Sequence, residues 1–73
     1  LEMPVDEQYR GHAIRITRSG MWYAVLVELD SGTILPTKAT ALMREGRTVA
    51  LERAQDLIDL YIDGVSAHAA HAA

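Results

Sequence analysis

The sequence predicts an α+β fold: a three-stranded antiparallel β-meander with one C-terminal helix packed on one face. Two patterns carry this expectation. Residues 9–42 fall into short alternating runs separated by Ser19-Gly20 and Asp30-Ser31-Gly32, and alternation is the repeat of a strand. Residues 48–63 instead repeat apolar side chains at i, i+3, i+4 and i+7, the stripe of an amphipathic helix. One helix covers one face of such a sheet, so the second face is open or used. Binding is therefore the expected role.

The first strand spans residues 9–18, with His12, Ile14 and Ile16 on one side and Ala13, Arg15 and Thr17 on the other. Ser19-Gly20 makes the first turn, where glycine supplies a positive φ. The second strand spans residues 21–29. Met21, Tyr23, Val25, Val27 and Leu29 give it a wholly apolar side, while Trp22, Ala24 and Leu26 give a second one ending in Glu28. A strand apolar on both sides is normally buried on both sides, which makes it the central strand. Asp30-Ser31-Gly32 fits a type I turn with glycine in the left-handed position. The third strand spans residues 33–42, and Pro36, which donates no ladder hydrogen bond, suits an edge or a bulge.

Thr48 is the expected N-cap of the helix. Val49 or Ala50, then Leu51, Ala54, Leu57, Ile58, Tyr61, Ile62 and Val65 form its apolar stripe; Glu52, Arg53, Gln55, Asp56, Asp59 and Asp63 form the other side, with Leu60 off the stripe. Gly64 is a natural residue just past the helix end, and the alanine-rich residues 65–73 either extend the helix by a turn or two or fray. The expected organisation is a flexible N-terminal arm over residues 1–8, one β-β-β-α domain over 9–65 and an alanine-rich tail over 66–73. Met3 is a candidate native start, preceded by Leu1 and Glu2.

At 73 residues the chain is one small domain, a size at which a single core gives marginal stability and a second interface helps. There is no cysteine, which excludes disulfides and thiolate metal sites. No apolar run reaches membrane-spanning length, and a cytoplasmic location is expected. The net charge of −3 is unevenly spread. Residues 9–48 hold Arg10, Arg15, Arg18, Lys38, Arg44 and Arg47 against Glu28, Asp30 and Glu45; residues 49–63 hold Arg53 against Glu52, Asp56, Asp59 and Asp63. A basic sheet side thus opposes an acidic helix side, an arrangement that bears on association.

No nucleophile motif, phosphate-binding glycine loop or metal-ligand spacing is present. The expectation is a protein that is not an enzyme, with no catalytic residue, no cofactor and no metal. His68 and His71, at i, i+3 in the alanine-rich tail, lack the further ligands a metal requires. His12 reads as a histidine at the edge of the core. Asp56, Asp59 and Asp63 read as a solvated face, relieved by Arg53 at i, i+3 to Asp56. Arg10, Arg15 and Arg18 near Trp22 have the composition of a nucleic-acid surface, as does the loop from Arg44 to Arg47, but Arg15 alternates away from the other two.

Tyr9-Arg10-Gly11-His12, the Trp22-Tyr23-Ala24 strand and Ala50-Leu51 through Leu57-Ile58-Asp59 resemble small bacterial proteins that open with a Tyr-Arg-Gly-aromatic strand. Gly20-Met21-Trp22-Tyr23-Ala24, Ala50-Leu51-Glu52-Arg53-Ala54 and Leu60-Tyr61-Ile62 also resemble the N-terminal domains of HicB-like antitoxins. That second resemblance implies a β-β-β-α fold and a module that neutralises an RNase toxin. The partner expected from the residues themselves is a second copy, giving a homodimer, or another protein. Trp22, Ala24, Leu26 and Arg15 are the expected contacts, on the sheet face that the helix leaves open.

Overall fold

The computed structural model describes residues 7–72, and side chains as far as Gly64. The fold is α+β, with an antiparallel sheet and one C-terminal helix. The sheet has four strands rather than three: β1 (Glu7–Tyr9), β2 (His12–Arg18), β3 (Trp22–Glu28) and β4 (Ala39–Ala41), followed by α1 (Arg47–Ala72). Their order in the sheet is β1-β2-β3-β4, a meander with β2 and β3 inside.

The extra strand comes from a hairpin inside what alternation alone reads as one strand. Tyr9 pairs with His12, so only Arg10 and Gly11 form the loop. Their φ angles are +48° and +79°. Two consecutive positive φ values define a type I′ turn, whose twist matches that of the flanking strands. Glycine adopts this conformation freely, whereas arginine does so at a cost.

The expected third strand is shorter than its alternation suggests. Val27 forms an isolated bridge with Ile34, and regular pairing resumes only at Ala39. Pro36 stands between the two, without an N–H for the ladder. Before it, Gly32 has φ +73°, the left-handed turn position expected for it.

Helix α1 begins one residue before the expected cap. The Ala50 N–H reaches the Gly46 carbonyl at 3.4 Å, so Gly46 holds the capping position and Thr48 lies in the first turn. Gly64 does not end the helix, which continues to Ala72; alanine is the strongest helix former. The expected arm boundary at residue 8 falls inside β1, and no break in secondary structure occurs at residue 65. The side chains of Val65, His68 and His71 lie outside the described residues.

Ala50, Ala54 and Ile58, spaced at i, i+4 and i+8, are completely buried. They face Ile14, Ala24, Leu26, Leu35 and Ala39, with Leu51, Leu57 and Ile62 at the margin. Small residues on both elements, Ala50 and Ala54 against Ala24, Ala39 and Ala41, allow the helix to approach the sheet closely. At the outer strand Thr40 pairs with Tyr23, and its carbonyl is open to a side chain from α1. Arg53 donates to that carbonyl at 3.1 Å and pairs with Glu45 at 2.8 Å. Arg53 thus serves the sheet edge and Glu45, not Asp56 as its helical spacing suggests.

Candidate binding surface

The strand register decides which side chains share a face, because paired residues project to the same side. His12, Ile14, Ile16 and Arg18 lie opposite Glu28, Leu26, Ala24 and Trp22, and Ala24 lies opposite Ala39. This is the side beneath α1. On the other side Ala13 pairs with Val27, Arg15 with Val25 and Thr17 with Tyr23, with Gln8 and Thr40 flanking them. No described element lies over this second face. Val27 bridges to Ile34, which is 63% exposed. Tyr23, Val25, Val27 and Ile34 therefore form an apolar strip along the open side of the centre of the sheet.

This placement corrects the expected contact set. Of Trp22, Ala24, Leu26 and Arg15, only Arg15 is on the open face. Ala24 and Leu26 are fully buried under α1. Trp22 is half-buried on the same side, with the Arg18 guanidinium 5.7 Å from its ring centroid. The physical reason lies in the neighbouring strand. β3 is apolar on both sides, so its own pattern does not choose between them. A buried face must be apolar across every strand, and Ile14 and Ile16 complete the Ala24–Leu26 side, whereas Arg15 and Thr17 interrupt the other.

Among the described strand residues, charge on the open face has one sign. Arg15 is half-buried, and no ion-pair partner for it occurs among the described residues. The Lys38 ammonium lies 5.8 Å from the Tyr23 ring centroid, a cation–π distance. None of the paired strand residues on this side is a carboxylate.

The remaining polar side chains form a clasp between the β1–β2 hairpin and α1. The Tyr9 hydroxyl donates to both Asp59 carboxylate oxygens at 2.9 and 3.0 Å, and Arg10 donates to Oδ1 at 2.7 Å. Asp63 stands 3.9 Å from the same guanidinium. Asp59 is therefore a structural partner of the hairpin rather than only part of a solvated face. His12 is buried, its Nδ1 lies 2.9 Å from the Arg10 carbonyl, and its ring meets Tyr61 edge-on at 6.2 Å. No hydrogen-bond partner for its buried Nε2 occurs among the described residues. The Tyr9-Arg10-Gly11-His12 run thus supplies a turn and three anchors. The arginines expected near Trp22 are divided among three places: Arg10 in the clasp, Arg15 on the open face and Arg18 over the indole.

The hydrogen bonds from Arg10 and then Tyr9 hold the Asp59 carboxyl below the usual aspartate range, and the bond to Asp59 raises the Tyr9 hydroxyl above 10.0. A depressed carboxylate pKa adds stability that is present above the unfolded value, ~3.9, and is lost as pH falls through the folded value. Acidification from pH 5 toward pH 2 is accordingly expected to lower the melting temperature more in the parent chain than in Asp59→Asn. Equal slopes for the two proteins would remove the clasp from the account.

A cavity of about 180 Å³ opens between residues 35–37 and α1, walled by Leu26, Leu35, Pro36, Leu57, Leu60 and Tyr61. It is smaller than the usual small-molecule site, ~300–1,000 Å³. Among the described residues no three His, Cys, Asp or Glu side chains group as a metal-binding set, and no helix is long and apolar enough to cross a membrane. Comparison with protein-family models, curated proteins and solved structures finds no match for the chain.

Proposed function

We propose that this chain is a small non-enzymatic interaction module that self-associates or binds another protein through the open sheet face. The supporting observation is the strip of Tyr23, Val25, Val27 and Ile34, left uncovered at the centre of the sheet while α1 occupies the opposite side. Ile34 is exposed and Tyr23, Val25 and Val27 are half-buried, and apolar surface left facing solvent is where interaction sites occur.

Val25→Asp tests the assignment. It places a charge in the middle of the strip without entering the core, so melting should change little. Association is expected to be lost, read as particle mass by light scattering or as capture of a protein partner. Leu60→Asp, on the other side of the molecule and 69% exposed in the parent, should leave association intact. The opposite ranking would move the binding site to the groove beside α1.

A further inference from the structure

We infer that the open face takes an acidic amphipathic segment of another protein, with apolar side chains along Tyr23, Val25 and Val27 and carboxylates toward Arg15 and Lys38. This inference rests on the proposed use of the open face and adds the chemistry of its occupant.

Three observations carry it. The face presents two cations, Arg15 and Lys38, on either side of an apolar strip, and no carboxylate among its paired strand residues. Arg15 is half-buried yet has no ion-pair partner among the described residues, so a carboxylate delivered to it would answer a cation already partly withdrawn from water. Symmetry then argues against a second copy. Two sheets related by a two-fold axis along the strands bring the β2 side of one against the β4 side of the other, so Arg15 approaches Lys38. An axis across the strands brings Arg15 toward Arg15. Either arrangement sets like charge against like, which is costly at an interface.

Nucleic acid fits less well. Single strands are held by several stacking aromatics along a cationic track, and this face offers one aromatic ring among aliphatic side chains. An acidic segment with an apolar side matches both the strip and the two cations. It also matches the restricted size of the surface, since two cations suit a few carboxylates rather than a polyanion.

The test uses the full chain and two synthetic helical peptides of about 15 residues. Both carry leucine at i, i+3, i+4 and i+7 on an alanine and glutamine background; one has glutamate at three of the remaining positions and the second has lysine at the same three. The expected result is salt-sensitive binding of the glutamate peptide alone, weakened at least tenfold by Arg15→Glu and by Val25→Asp, while both variants retain the parent circular dichroism and melting. Arg15→Glu reverses a half-buried charge outside the core beneath α1, so it remains informative if Val25→Asp melts early. Absence of binding by the glutamate peptide, or equal binding of the lysine peptide, overturns the acidic partner. Preference for polyuridine RNA over the glutamate peptide also overturns it. A stable dimer abolished by Val25→Asp overturns the acidic partner while leaving the open face as the site. Glutamate-peptide binding unaffected by both variants overturns the open face itself.

Discussion

Leu26→Ala is expected to destabilise the protein by about 2–5 kcal/mol, the range for truncating a buried leucine. Leu26 is fully buried between Ile14 on β2 and α1, and it also forms part of the wall of the cavity beside the helix. The surrounding backbone is held by the β2 ladder at Ile14, by the Leu35 N–H donated to the Leu26 carbonyl at 2.8 Å and by α1, which limits closure over the lost atoms. A core in a domain of this size rarely supplies more than about 3–5 kcal/mol. The variant should therefore be largely unfolded, or melt far below the parent. Val25→Ala, one residue away on the open face, is expected to cost about 1 kcal/mol or less. Urea titration of the two variants measures the difference. A Val25 variant as damaged as the Leu26 variant would mean that α1 covers the other side of the sheet.

Gly11→Val should have the second largest effect. Gly11 has φ +79° in a turn whose other residue, Arg10, is also left-handed at +48°. An ordinary L-residue pays about 1–2 kcal/mol there, and a β-branched one pays more. No atom crowds the position, so the penalty is conformational rather than steric contact with neighbours. In a domain of this length 1–2 kcal/mol corresponds to roughly 4–16 °C in melting temperature. The loss should extend to the clasp, since the same turn aims Tyr9 and Arg10 at Asp59. Gly11→Asn, which tolerates the left-handed region, is expected to recover much of the difference. Equal melting of the valine and asparagine variants would contradict this account.

These two residues also show how much was legible in the chain. The helix, the central strand and the meander order follow from periodicity and turn residues. Gly11 is present in the sequence as an interruption of a strand, and glycine within an alternating run signals a bend or a bulge. Reading through it merges β1 with β2 and hides the fourth strand. At the helix end a terminal glycine signal at Gly64 competes with a long alanine-rich continuation, and the continuation prevails, so the helix runs to Ala72. The open face is harder to read. A strand apolar on both sides offers two cores, and the decision rests on Ile14 and Ile16 against Arg15 and Thr17, which requires the register. Asp59 gave no local signal, since Tyr9 and Arg10 lie 50 and 49 positions away.

The guanidinium of Arg53 on the Thr40 carbonyl has a consequence for how this protein behaves when crowded. An incoming strand that paired with β4 would have to remove a charged donor, itself tied to Glu45, from the carbonyl it needs. β4 is also only three residues long, too short to reward the exchange. Growth of the sheet by stacking one molecule beside another is thereby halted at its fourth strand on this side. The apolar open face and this edge are perpendicular surfaces of one sheet, and the Arg53 guanidinium guards the edge while leaving the face free.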